Sequence, residues 1–213
     1  MEFRRLLEIA GDEPVVETGL LAAGDVSTAE IRKQLSRWAA SGRLYQLRRG
    51  VYALAPPFQK SKPHPFLIAN RLVPGSYVSC QSALAYSGLI PEYTPVIISV
   101  TTARPGRWDT PLGSFEYRHV QAKLMRGYRH VDLGGGQSAF VALPEKALLD
   151  LIYLQPGADK YGFLQELRLQ NLERLNLDEL QRLAIATESL KLLRATDHIR
   201  TLAETEAREY VAL

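Results

Sequence analysis

Apolar residues recur at helical spacing in the first part of the chain and predict three short helices. The apolar positions of the first predicted helix are Phe3, Leu6, Leu7 and Ala10. Gly11 follows them and predicts the end of that helix. A second short helix is predicted from Val15 to Ala23, with Gly24 ending it. A third begins shortly afterwards.

The third predicted helix runs from Thr28 to Ala40. Ser27 and Glu30 have the spacing of a capping box, in which each side chain satisfies the other's backbone N–H. The apolar positions form one stripe along the helix: Ile31, Leu35, Trp38 and Ala39. The opposite face carries small and basic residues: Ala29, Arg32, Lys33, Ser36 and Arg37. The pattern predicts an amphipathic helix with a basic outer face.

A short β-hairpin is predicted directly after this helix. Residues 43–47 and 51–54 alternate as strands do, and Arg48-Arg49-Gly50 separates them. Gly50 can adopt the positive φ of a three-residue hairpin loop, which predicts Arg48 and Arg49 at the tip. Three short helices and a basic hairpin predict a winged helix-turn-helix over residues 1–55.

The pattern changes after residue 55. Four prolines within residues 56–65 predict a semi-rigid linker, because proline fixes φ and removes a backbone donor. Residues 66–213 then form a second predicted domain, mixed α/β to about residue 155 and helical to the end. Its predicted strands cover residues 96–102, 113–119 and 139–143, and its predicted helices include 66–72, 81–86 and 144–153. The expected fold class is therefore α+β.

Charge and cysteine content narrow the function classes. From Asp25 to Lys62 there are eight Lys or Arg against two acids, although the net charge of the whole chain is only +3. A basic N-terminal part indicates a polyanion-binding module, and a merely solvated surface is the alternative. A single cysteine, Cys80, cannot form an internal disulfide and favours a reducing cytoplasm. No apolar stretch is long enough to predict a membrane span.

These features predict binding to double-stranded DNA. The third helix would enter the major groove, where Arg pairs with guanine and Lys meets phosphate, and the hairpin would contact the backbone. The candidate DNA-binding residues are Ser27, Thr28, Arg32, Lys33, Ser36, Arg37, Arg48 and Arg49. Two copies on two half-sites are expected. An ordinary amphipathic helix with a solvated basic side is the alternative.

A second group of basic residues lies in the middle of the second predicted domain. Its members are Arg104, Arg107, Arg118, Lys123, Arg126 and Arg129. Three interpretations stay open for this group: contact with an acidic protein partner, additional contact with DNA, or a solvated surface without function.

The sequence predicts no catalytic site, no metal site and no cofactor. His130 and Asp132 would share one face of a strand, but no second ligand cluster accompanies them. Cys80 is expected to be a buried apolar residue. Gly134-Gly135-Gly136 lacks the residues of a phosphate-binding loop and predicts a turn. Three charged residues are expected to lie at a helix start and on the surface: Glu145, Lys146 and Asp150.

Several segments together resemble the AbiEi-type antitoxins. The N-terminal segment is Tyr45-Gln46-Leu47-Arg48-Arg49-Gly50-Val51-Tyr52-Ala53-Leu54. The others are 77–84 (YVSCQSAL), 88–91 (GLIP), 99–102 (SVTT) and 144–150 (PEKALLD). They follow the family's order over roughly residues 15 to 155. The helical tail after Pro156 contributes no motif to the resemblance.

The resemblance implies a role in a type IV toxin–antitoxin system. It implies a cytoplasmic autorepressor that binds inverted repeats in its own promoter and counters a nucleotidyltransferase-type toxin without a stable complex. The family also includes stand-alone regulators of phage defence. The alternative function is therefore a stand-alone transcription factor whose second domain senses a ligand or forms oligomers.

Overall fold

The computed structural model describes residues 2–21, 27–91 and 94–211, with side chains described to residue 206. Its N-terminal elements are α1 (Phe3–Ala10), β1 (Val15–Glu17), α2 (Thr18–Leu21), α3 (Thr28–Ala40), β2 (Leu44–Arg48) and β3 (Val51–Leu54). The three strands form an antiparallel sheet in the order β1-β3-β2. The predicted bounds of α1 and α3 are confirmed.

The prediction of a helix starting at Val15 is wrong. Val15, Val16 and Glu17 form β1, which pairs with residues 51–53 of β3. Both valines are buried, and β-branched residues fit a pleated strand better than a helix turn. The helix starts at Thr18, and its predicted end at Ala23 and Gly24 lies outside the described residues.

The proline-rich segment 56–65 is held by contacts on both sides. Phe58 meets the ring of Phe3 edge-on, with centroids 4.8 Å apart. Gln137 of the second region forms two hydrogen bonds with the end of the segment. Its Nε2 donates to the Lys62 carbonyl (3.0 Å), and its Oε1 accepts from the His64 N–H (2.7 Å). The segment is therefore fixed in place by the regions that it connects.

The second region is a mixed six-stranded sheet with helices around it. Its elements up to the last strand are α4 (Pro65–Leu72), β4 (Tyr77–Val78), α5 (Cys80–Tyr86), β5 (Val96–Thr101), β6 (Gly106–Thr110), β7 (Gly113–His119), β8 (Tyr128–Gly134) and β9 (Gln137–Ala142). The helices that follow are α6 (Pro144–Leu154), α7 (Tyr161–Glu166), α8 (Leu177–Ile185) and α9 (Leu190–Val211). The strand order is β6-β7-β5-β4-β9-β8, with β4·β9 and β5·β7 parallel and the other pairs antiparallel. The expected α+β class and helical tail are confirmed.

No range is predicted for the two edge strands of this sheet, β6 and β8, although His130 and Asp132 of β8 are expected on one face of a strand. Each contributes one arm of a hairpin, and none of the residues of these two strands is buried. An edge strand packs against fewer neighbours, so its apolar pattern is shorter and weaker than that of a buried strand. The predicted turn at 134–136 is confirmed, since β8 ends at Gly134 and the next two glycines connect it to β9.

The small N-terminal sheet packs against the second region. Its residues Val15, Leu47, Val51 and Ala53 belong to the same buried cluster as α4, β5 and β7 of the second region. Other apolar residues of α1, α3 and β3 form a separate, smaller core on the opposite side of the sheet. The N-terminal sheet is thus buried on both faces, and α3 lies on the side away from the second region.

The C-terminal helices cover α6. Leu180 and Leu183 of α8 and Leu192 and Ile199 of α9 are buried in the large core. In the part of the chain that the structure describes, none of the helices has both the length and the apolar character needed to cross a bilayer.

Candidate nucleic-acid interface

Helix α3 is fixed by its N-terminal cap and by its buried face. The Glu30 N–H donates to Ser27 Oγ over 3.2 Å, which satisfies one of the free N–H groups at the helix start. Ile31, Leu35 and Trp38 are buried, and the Trp38 ring meets Phe3 of α1 edge-on at 5.2 Å. The orientation of the helix about its own axis is therefore set by its core contacts.

This orientation turns the predicted DNA-binding residues of α3 toward solvent. All six are exposed: Ser27, Thr28, Arg32, Lys33, Ser36 and Arg37. Arg32 lies at the edge of the face, where its guanidinium partly offsets the burial that raises the pKa of Tyr52. Small hydroxyl residues between three cations give a convex surface that can approach a polyanion closely.

The two arginines of the hairpin have different environments, which corrects the prediction that both lie at its tip. The strand β2 continues through Arg48, so the turn consists of Arg49 and Gly50, and Gly50 has φ +86°. Arg49 is exposed, whereas Arg48 is half-buried. The Arg48 guanidinium opposes the rise that burial causes in the pKa of Tyr117, a residue of β7. Arg48 therefore faces the second region. A bulge after Gln46 makes this possible, because it shifts the register of β2 and places Arg48 opposite Val51.

The tip of the hairpin is held by the start of α2. Both the N–H and the hydroxyl of Thr18 donate to the Gly50 carbonyl, at 2.9 Å and 3.3 Å. Arg49 thus projects from a turn with a fixed backbone. Of the two hairpin arginines, only Arg49 has the exposure that a phosphate contact requires.

The six basic residues of the second region do not form one patch. Arg107 and Arg118 lie on β6 and β7, whereas Arg129 lies on β8 at the opposite edge, about 24 Å from β6 at the usual strand spacing. Arg107 pairs with Asp109 (3.2 Å) and Arg118 with Glu116 (2.8 Å).

The remaining members of this group lie outside the strands, in a short 3-10 helix (Lys123) and in loops (Arg104 and Arg126). Lys123 reaches Glu188 of the C-terminal region at 3.7 Å, and Arg126 Nε donates to the Lys123 carbonyl at 2.9 Å. Arg104 is exposed in the loop between β5 and β6. Several of these charges are paired, and Arg107 and Arg129 lie at opposite edges of the sheet. The six residues therefore form no single basic surface comparable to that of α3.

The expectation that Glu145, Lys146 and Asp150 lie on the surface is wrong. All three are buried, and the side chains of Lys146 and Asp150 are only 6% and 2% exposed. Lys146 Nζ donates to Asp150 Oδ1, and Glu145 Oε1 accepts from the Asn176 N–H at 2.7 Å. The helix α6 is buried on nearly all sides, so its polar residues are inside as well.

Asp150 is the centre of a buried polar cluster that joins α6 to β4. Its Oδ2 accepts from the Tyr77 hydroxyl (2.9 Å) and from the Ser79 hydroxyl (2.7 Å). Burial raises the pKa of Asp150, and the three donors limit that rise. The Tyr128 ring stacks on Tyr77 at 4.5 Å. The side chains of this cluster are buried and bonded to one another, so they offer little surface for a substrate.

The other candidate residues for catalysis or metal binding have contacts that belong to the fold. Cys80 is buried, as predicted, and burial raises the pKa of its thiol. His130 and Asp132 share one face of β8, where His130 packs on Phe140 and Asp132 Oδ1 accepts from the Gly134 N–H at 2.8 Å. Within the described ranges, no three His, Cys, Asp or Glu side chains are grouped to hold a metal ion.

Comparison with known proteins gives a distant likeness among solved structures. No protein-family model matches the chain, and no curated protein matches it. Among solved structures, the chain is similar to the RV2827C protein from Mycobacterium tuberculosis, with 18% sequence identity and a TM-score of 0.49. The match covers 94% of this chain and 80% of that chain. A likeness at this level carries no information about function.

Proposed function

We propose that the chain is a DNA-binding transcriptional regulator whose N-terminal region is a winged helix-turn-helix. The observation that carries the proposal is the solvent-facing surface of α3, where Arg32, Lys33 and Arg37 surround small residues on a helix held by its opposite face. The element order α1-β1-α2-α3-β2-β3 also supports it, because the hairpin directly follows the basic helix.

In the proposed complex, α3 lies in the major groove. Its Arg and Lys side chains contact base edges and phosphates, and the exposed Arg49 contacts the sugar-phosphate backbone. The half-buried Arg48 supports the hairpin from within the protein. Two copies occupy two half-sites of an inverted repeat, which doubles the number of base contacts and supplies specificity.

Replacement of Lys33 and Arg37 by alanine tests this interface. We expect the double variant to bind DNA from its own upstream region at least about tenfold more weakly, because it loses a base contact and a phosphate contact. The matched control is Arg4→Ala with Arg5→Ala, which removes two exposed cations from α1. Equal affinity of the two double variants in a gel-shift titration would reject α3 as the interface.

We further propose that the protein is the antitoxin and autorepressor of a type IV system, countering a nucleotidyltransferase-type toxin. The resemblance of segments 77–84 and 144–150 to AbiEi-type antitoxins supports this role. Both segments contribute to the buried cluster around Asp150, so their likeness concerns the fold of the second region. Rescue of cells that express the adjacent toxin gene tests the role, and failure of rescue with normal DNA binding would leave a stand-alone regulator.

The stand-alone alternative includes a second region that forms oligomers. The open edge of β8 is a place where such oligomers could form, because a strand edge offers backbone groups for pairing. Oligomer formation is compatible with either role.

A further inference from the structure

The outer edge of β8 is open in the structure. Within residues 2–21, 27–91 and 94–211, no strand pairs with that side of β8. The strand is seven residues long, from Tyr128 to Gly134, and most of its residues are exposed. The opposite edge strand, β6, is instead approached by β2 of the N-terminal region.

The hydrogen bonds to β9 show which backbone groups of β8 face outward. The Leu143 N–H donates to the Gly127 carbonyl at 2.9 Å, and the same antiparallel register continues with Tyr128 opposite Ala142. In such a ladder, alternate residues bond to the same neighbour, so Arg129 and Val131 bond toward β9. Tyr128, His130 and Asp132 therefore direct their N–H and C=O groups to the open edge.

We infer that β8 pairs antiparallel with β8 of a second copy of this chain, about a twofold axis at Val131. This register overlaps the whole strand, because Val131 is its central residue. His130 then lies opposite Asp132 of the partner copy, twice in the dimer. Both residues face outward at the backbone, so each such pair exchanges two hydrogen bonds, and the dimer gains four.

Charge selects this register over its neighbours. An axis at Asp132 places two aspartates opposite each other, which is unfavourable, and an axis at His130 pairs the two histidines. Only the axis at Val131 brings His130 against a carboxylate.

Two exposed aromatic residues flank the proposed contact. Tyr128 is 38% exposed and Phe140 is 45% exposed, and both belong to the aromatic group that includes His130. On the same face of the extended sheet, these rings cover the His130–Asp132 pairs of the dimer. Burial of these rings would add an apolar contribution to the stability of the dimer, which a purely polar strand edge would lack.

The test is sedimentation equilibrium of the full-length protein over a concentration series, without DNA. We expect a monomer–dimer equilibrium that His130→Asp weakens by at least about tenfold, because it creates two like-charge contacts. The matched control is His119→Asp, which changes an exposed histidine on β7 of the same sheet.

A mixture of two variants makes the test specific for the register. Asp132→Lys alone also weakens the dimer, because the introduced ammonium group then faces His130 in place of a carboxylate. An equimolar mixture of His130→Asp and Asp132→Lys chains places opposite charges in contact across the axis, and we expect it to dimerise as the unmodified protein does. The inference is overturned if the unmodified protein is monomeric throughout, if both histidine variants dimerise equally, or if the mixture dimerises no better than its components. The measurement is made without DNA, so its outcome is separate from that of the proposed DNA binding.

Discussion

The two regions of the molecule use charged residues in opposite ways. On α3, Arg32, Lys33 and Arg37 are solvated and their helix is held by apolar contacts on its other face. In the second region, Lys146 and Asp150 are sealed between α6 and β4 and satisfy each other. A solvated cation remains available to a polyanion, whereas a buried ion needs its partner for the fold to persist. The location of a charge thus distinguishes the residues proposed to bind DNA from those expected to support the fold.

The largest effect that this comparison predicts is the loss of stability when Asp150 is removed. Asp150→Ala leaves the buried Lys146 without its carboxylate and the Tyr77 and Ser79 hydroxyls without their acceptor. We expect the free energy of unfolding to fall by about 3–5 kcal/mol, as measured by urea denaturation. Glu8→Ala, which removes an exposed ion-pair partner on α1, is the control and should change it by less than about 1 kcal/mol. Similar losses in both variants would contradict the contrast between the regions.

A smaller, pH-dependent effect is expected when Lys146 is replaced by methionine. Without the ammonium group, the pKa of the buried Asp150 rises further above its ordinary value. The native state then binds a proton more tightly than the unfolded state, so lowering the pH stabilises the variant. We expect the stability difference between Lys146→Met and the unmodified protein to shrink from pH 7 to pH 5. If urea denaturation shows that the stability difference grows from pH 7 to pH 5, the predicted direction of the pH dependence is wrong.

The smallest predicted effects distinguish the two hairpin arginines. Arg49→Ala should reduce the salt dependence of DNA binding by up to about one phosphate contact and leave stability unchanged. Arg48→Ala should instead lower the thermal stability, because its half-buried side chain packs between β2 and the second region. Comparison of both variants in thermal denaturation and in DNA titrations checks the assignment. A larger loss of DNA affinity for Arg48→Ala would reverse the roles.

The predictable parts of the fold are those in which local sequence and tertiary contacts agree. The bounds and the exposed face of α3 are predictable from its own sequence. The cap at Ser27 and the period of the apolar stripe are both local signals. The segment Val15–Glu17 follows the opposite rule: its pairing with β3, nearly forty residues later, overrides the weak helical pattern. Edge strands such as β8 give a weaker local signal, since none of the residues of β8 is buried.

The burial of the cluster around Asp150 also could not be predicted from the local sequence pattern. Lys146 and Asp150 are four residues apart, a spacing that is equally typical of an exposed ion pair on a helix surface. Their burial follows from the packing of α8 and α9 over α6, which depends on residues more than thirty positions later. Only the continuous apolar run around them indicated a helix buried on all sides.

The most direct test of the account is the affinity of the purified protein for DNA from its own upstream region, measured over a salt series against unrelated DNA. We predict tighter binding to the upstream region and a steep decrease of affinity with salt, because several cations of α3 and the hairpin contact phosphates. Binding to the upstream region that is no tighter than to unrelated DNA would contradict the proposed function.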